Sequence, residues 1–179
     1  VNELLKLDEY IDVVIPRGGE SLIRSVVENA RMPVLRQEKG VCHVYVEKTA
    51  DKEMAEKITV NAKAQRPSVC NAAETLLIHK DYPYKKDLLI ALINAGVKLK
   101  VCDVTMDTVV PELPEETRKY IEKAEEKDFY NEYLDYIMNV KIVNSTEEAI
   151  EHISKYGSGH TEAIVTRDYF EANKFLENV

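Results

Sequence analysis

Apolar positions recur along this chain with two periods, and the two periods alternate. Asp12-Val13-Val14-Ile15 is a short apolar run stopped by Pro16 and the turn residues Gly18-Gly19. Leu22, Ile23, Val26, Val27 and Ala30 follow at helical spacing. Pro33-Val34-Leu35 opens a second strand-like segment, and Cys42-His43-Val44-Tyr45-Val46 is a third. Asp51 stands at a helix N-cap position, ahead of Met54, Ile58 and Ala62, which predict one apolar stripe. Residues 75–79 predict a strand, and Leu88, Leu89, Leu92 and Ile93 a helix stopped at Gly96. Residues 97–101 and 140–143 are again strand-like. Ser145-Thr146-Glu147-Glu148 reads as a capping box, Ser145 bonding forward and Glu148 back. Ala149, Ile150 and Ile153 form the buried face of that helix, and Gly157 ends it. Residues 163–166 predict the last strand. Asp168 caps a final helix packed through Phe170, Phe175 and Leu176.

Residues 107–132 break this rhythm. They carry Pro111 and Pro114, then the charged run Glu122-Lys123-Ala124-Glu125-Glu126-Lys127-Asp128, which predicts a solvated helix or a surface insertion. Seven strand-like segments alternating with helices predict an α/β fold with a largely parallel sheet and flanking helices. The polar stretch from Gln37 to Gly40 is the one candidate domain junction.

Composition narrows the function classes. The chain has 179 residues, 45% of them apolar, enough for one or two packed domains. No stretch approaches the roughly 20 apolar residues of a membrane span. The first residues, Val1 to Asp8, are charged, lack an initiator Met and lack signal-peptide order, so the chain reads as starting within a longer protein. A net charge of −8 argues against a nucleic-acid or anionic-membrane surface. Cys42, Cys70 and Cys102 are odd in number and widely spaced, which predicts neither a disulfide framework nor a metal site, and a cytoplasmic setting.

The segment from Asn61 to Glu74 carries the most chemistry. A helix ends, Pro67 forces a turn, and Cys70 follows where a short helix capped by Ser68 is expected. Amides at a helix start favour a thiolate and can hold an oxyanion, and Lys63 or Arg66 turned inward would add to this. A buried structural cysteine is the competing reading. Pro16-Arg17-Gly18-Gly19 is either a plain strand-to-helix turn or a helix start presented to a phosphate. Cys42 and Cys102 are expected in the core. His43, His79 and His152 are expected as satisfied structural histidines, and His160 in a turn or strand entry.

Gln65-Arg66-Pro67 before Cys70-Asn71 resembles the active-cysteine segment of the gamma-glutamyl phosphate reductases. Val143, Ala149-Ile150-Glu151-His152-Ile153 and Tyr156-Gly157-Ser158-Gly159-His160-Thr161-Glu162-Ala163-Ile164 resemble that family's diagnostic pattern. Pro16-Arg17-Gly18-Gly19 and Gly40-Val41-Cys42-His43-Val44-Tyr45-Val46 also resemble family segments, and the resemblance spans essentially the whole chain.

The resemblance implies an aldehyde dehydrogenase-like catalytic domain at 41–179 and the end of a dinucleotide-binding domain at 1–40. It implies NADPH-dependent reduction of L-glutamyl 5-phosphate to L-glutamate 5-semialdehyde, with Cys70 as the catalytic nucleophile and its N–H as an oxyanion donor. Gly18, Gly19 and Glu132 match cofactor-facing positions, although the residues after Glu132 depart from the superfamily's glycine-proline pattern. Partners implied are the small-molecule substrate, glutamate 5-kinase as a pathway neighbour, and further copies in a homo-oligomer of the parent. A family member is much longer than this chain, so the 179 residues by themselves are expected to show little turnover. Alternatives are a coenzyme A-linked or other acyl-reducing relative, the reductase half of a bifunctional enzyme, or a non-catalytic α/β module that binds a nucleotide or partner.

Overall fold

A computed structural model describes residues 2–36 and 39–179. These form two compact units, Val1–Lys39 and Gly40–Val179. Gln37 and Glu38, within the expected junction, lie outside the described residues.

In the first unit a 3-10 turn, Leu4–Lys6, precedes helix α1, Glu20–Asn29. The α1 face that turns inward is Ile23 and Val26, and Leu22 is exposed. The two strand-like segments meet only in a single parallel bridge between Val14 and Val34. The Val14 N–H donates to the Pro33 carbonyl, and the Leu35 N–H to that of Val14. Pro16 and Pro33 lack the N–H groups a longer ladder would use, so neither segment becomes a strand.

The second unit is a six-stranded, wholly parallel sheet. Its strands are β1 (Cys42–Val46), β2 (Ala73–His79), β3 (Lys98–Val101), β4 (Ile121–Lys123), β5 (Ile137–Val143) and β6 (Glu162–Val165). They run in the order β4-β3-β5-β2-β1-β6. The helices are α2 (Lys52–Ala64), α3 (Lys85–Asn94), α4 (Asp103–Thr108), α5 (Glu115–Arg118), α6 (Thr146–Tyr156) and α7 (Tyr169–Asn178). One apolar cluster joins the sheet to α2 and α3 through residues such as Leu76, Ile78, Leu88, Leu92 and Val140. A second joins Tyr45, Leu77 and Val143 to Ala149 and Ile153 of α6 and Phe175 of α7. β1 and β2, interior strands covered on both faces, are buried at every position, the polar residues His43, Glu74, Thr75 and His79 included.

Several local expectations stand. Asp51 accepts from the Met54 N–H, and Asp168 from those of Phe170 and Glu171. Gly96 takes the left-handed conformation (φ +85°) just beyond α3.

Others are corrected. The charged run is not a helix: Ile121-Glu122-Lys123 is edge strand β4, paired with β3, and Glu126–Tyr130 is a 3-10 turn. Ile121 packs against the core while Glu122 and Lys123 face solvent, as an edge strand permits. On α2 the buried residues are Ala55, Thr59 and Lys63, and Met54 and Ile58 are exposed. On α7 only Phe175 is buried, with Phe170 and Leu176 exposed. Glu148 reaches past the cap residue to the Asn144 backbone and side-chain amides, while Ser145 accepts from the Glu148 N–H.

Candidate functional site

Four loops of the second unit collect at the amino-terminal ends of the neighbouring strands β5, β2, β1 and β6. They carry Glu132, Cys70, Gly40 and residues 157–161 respectively. No helix begins at Cys70. Between the end of α2 at Ala64 and the start of β2 at Ala73 there are only turns, closed by Val69 N–H to Arg66 O (3.3 Å) and Ala72 N–H to Val69 O (3.1 Å). Pro67 disfavours a helical residue before it, and β2 begins too soon for a helical turn. Ser68 therefore caps nothing, and the expected helix-start field at the thiol is absent.

What holds the turn is its carbonyl side. The Cys42 thiol, buried beneath, donates to the Cys70 carbonyl at 3.3 Å. Burial, reinforced by the nearby Glu162 carboxylate, pushes the Cys42 thiol up to about 12, so it stays a protonated donor. Gly40 packs against the same carbonyl so closely that a Cβ there would overlap the Cys70 oxygen. Across a trans peptide the N–H points opposite to the C=O, so the Asn71 N–H faces away from Gly40 and Cys42. The Cys70 and Asn71 amides make no hydrogen bond among the described residues, and the Cys70 side chain is exposed.

Gly40 also joins Cys70 to Glu132. Its N–H donates to Glu132 Oε1 at 3.0 Å, and the second carboxylate oxygen has no partner among the described residues. Next along the chain, the Val41 N–H donates to Ser158 Oγ at 2.9 Å, tying the fourth loop to this cluster. Two of the expected site residues, Cys70 and Glu132, thus share one neighbour. Gly18 and Gly19 belong to the first unit. There Gly19 is the N-cap of α1, with open space where a Cβ would stand.

Lys63 turns inward, as one expectation had it, but not toward the thiol. Its ammonium meets Glu74 Oε2 at 2.7 Å, and both side chains are 0% exposed. Burial pulls the ammonium down and the carboxyl up, and each group opposes that pull on the other. Glu74 Oε1 accepts from the Leu134 N–H at 3.3 Å. Leu134 has φ +53°, the one positive φ among the described non-glycine residues.

The diagnostic-pattern residues build the wall beside this cluster. Glu162 Oε2 accepts from the backbone N–H of His43 (2.8 Å) and pairs with its Nδ1 (2.9 Å). Gly157 leaves the room: a Cβ there would stand 2.6 Å from the Ile153 carbonyl and 3.4 Å from the His43 ring. His152 lies among His43, Phe129 and Tyr156, with ring centroids 5.5, 5.0 and 4.5 Å away. Contrary to expectation it is not satisfied: neither ring nitrogen has a partner among the described residues, nor does His43 Nε2. Burial, then the neighbouring His43, hold His152 down at about 3. Cys102 is half-buried, its sulfur 3.2 Å from Thr105 Oγ1. His79 accepts from the Asp81 N–H, and half-buried His160 pairs with Thr161.

Sequence reasoning missed Gly40, Ser158 and the Lys63–Glu74 pair as parts of this cluster. A lysine and a glutamate flanking the cysteine on either side were the available signal for the pair.

Compared with known proteins, the chain matches no family model. It is 51% identical to gamma-glutamyl phosphate reductase of Caldicellulosiruptor saccharolyticus, over 98% of this chain and 41% of the relative. It is also 51% identical to that of Nitratiruptor, over 100% of this chain and 42% of the relative. Among solved structures, gamma-glutamyl phosphate reductase of Thermotoga maritima superposes with a TM-score of 0.87 at 41% identity, over 99% of this chain and 41% of that one. An acetylating aldehyde dehydrogenase of Geobacillus thermoglucosidasius, 20% identical, shares the fold with a TM-score of 0.68. The chain spans about two fifths of the length of the relatives it matches.

Proposed function

Because the chain belongs to the gamma-glutamyl phosphate reductase family, we propose that it carries the nucleophile of an NADPH-dependent enzyme. That enzyme reduces L-glutamyl 5-phosphate to L-glutamate 5-semialdehyde and releases phosphate, a step of proline biosynthesis that follows glutamate 5-kinase. The observation that supports this best is the Cys70 turn: an exposed thiol beside two amides with no partner among the described residues, its carbonyl tied down by Cys42 and crowded by Gly40.

In this reading the Cys70 thiolate attacks the acyl phosphate carbonyl. An S–C bond forms, the C–O bond to phosphate breaks, and the electron pair leaves with phosphate. The Cys70 N–H, without a hydrogen bond among the described residues, is the donor this reading assigns to the oxyanion of the intervening tetrahedral state. NADPH, when bound, supplies a hydride to the thioester carbon. The hemithioacetal then loses the thiolate, and Cys70 is regenerated as the aldehyde departs.

The residues present fit such a cofactor. The unpartnered oxygen of Glu132 is an acceptor suited to ribose hydroxyls. On this reading residues 1–40 close a dinucleotide-binding domain and 41–179 form part of the catalytic domain.

The test uses the longer protein that contains this chain. Cys70→Ser is expected to remove reductase activity by a factor of 10³ or more, on the scale of losing a covalent nucleophile. Iodoacetamide followed by peptide mass spectrometry should label Cys70 well ahead of buried Cys42 and half-buried Cys102. Equal, slow labelling of all three, with activity retained in Cys70→Ser, would return Cys70 to a structural role.

A further inference from the structure

A fully buried ion pair is an expensive way to fill space. Two apolar side chains of similar volume serve a core as well or better, because the charges lose their hydration. Lys63 and Glu74 are nevertheless both 0% exposed and 2.7 Å apart. Their location is particular: Lys63 is in the last turn of α2 and Glu74 is the second residue of β2, so the pair closes the base of the Cys70 turn. The same carboxylate accepts from the Leu134 amide, two residues beyond Glu132. Leu134 holds a left-handed backbone that a leucine adopts only when its surroundings impose it. The far side of that loop is fixed by the bond from the Gly40 N–H to Glu132.

From this we infer that the Lys63–Glu74 pair is a positioning device that holds the Glu132 loop at a set distance from the Cys70 turn. Neither residue has a role with the reacting atoms; both act through the two loops they join. The inference rests on the reading of Cys70 as nucleophile and Glu132 as a cofactor-side residue. A purely structural pair would matter to activity only through stability, and that difference is measurable.

In the full-length enzyme, Lys63→Met/Glu74→Leu removes the charges at similar volume. Its melting temperature should equal or exceed that of the unsubstituted enzyme. Its KM for NADPH should nevertheless rise at least tenfold, because the Glu132 loop loses its anchor. Lys63→Met/Glu74→Gln keeps an acceptor for the Leu134 amide and should recover part of that affinity. Should the first variant fail to fold, Leu134→Gly probes the same loop without touching the core. Glycine accepts the left-handed backbone and frees the loop, so it should raise KM for NADPH several-fold at an unchanged melting temperature. A folded Lys63→Met/Glu74→Leu variant, or a folded Leu134→Gly variant, with KM and kcat unchanged overturns the inference. Retained activity in Cys70→Ser would instead defeat the site reading beneath it, so the two failures are distinguishable.

Discussion

At the scale of single residues, two atoms-level facts lead to measurements. Gly40 is required by contact, not by backbone conformation: any Cβ meets the Cys70 carbonyl. Gly40→Ala must therefore push the Cys70 turn away, or tilt its peptide and re-aim the Asn71 amide. Overpacking of this kind costs about 1–3 kcal/mol. The alkylation rate of Cys70 should change with it, while that of Cys102 should not; unchanged labelling at both would contradict the contact. His152 gives a pH signature. Its native pKa is held at about 3 against an ordinary 6.5, so between those values the unfolded chain binds a proton that the native chain does not. The native state is thus fully favoured by this group above pH 6.5, and that advantage drains away as pH falls toward 3. His152→Phe, set among Phe129, Tyr156 and His43, removes two unpartnered nitrogens and keeps a ring. It should stabilise by roughly 1 kcal/mol at neutral pH. Its urea midpoint should also decline less steeply than that of the unsubstituted chain between pH 6.5 and 4. Parallel pH profiles would dispose of the idea.

At the scale of elements, the α6 cap and the Cys70 turn lie at opposite edges of the sheet. The start of α6 follows the carboxyl end of β5, whereas Cys70 precedes the amino end of β2. Ser145→Ala removes the acceptor of the Glu148 amide and should cost about 1 kcal/mol. It should leave Cys70 alkylation unchanged, and a slowed reaction would show that the edges are coupled. The caps were legible in the sequence because they are local: Asp51, Ser145 and Asp168 act within three residues. The parallel strands of the sheet were legible for a similar reason, as apolar runs with turn residues between them. What escaped was set by distant partners. Lys63 is buried on α2 because Glu74 on β2 awaits it, whereas Met54 and Ile58 have the better hydropathy and stand exposed. Ile121-Glu122-Lys123 is a strand because β3 offers an edge, which no charge pattern announces. The sequence singled out Cys70 but expected the wrong surroundings for it. It lies in a turn held by Gly40 and Cys42, not at a helix start, and contacts across 28 or more residues leave no local trace.

At the scale of the whole molecule, the division into units makes its own claim about folding. Every residue of both apolar clusters falls within 40–179. All six strands of the sheet do as well, together with the bonds from Gly40 and Val41 that link the loops around Cys70. A domain of this size buries about two thirds of the surface its unfolded chain exposes, enough for independent stability. Residues 40–179 produced without residues 1–39 should therefore unfold in one cooperative transition. Circular dichroism and tyrosine fluorescence should give coincident melting curves, the criterion for two-state behaviour. The same species should keep the order of cysteine labelling, Cys70 first, since the contacts that present the thiol are internal to it. A broad, probe-dependent melt would show that the sheet depends on chain outside 40–179. A cooperative melt with the labelling order lost would place the failure more narrowly, at the four loops on the amino edge of the sheet, with the core intact beneath them.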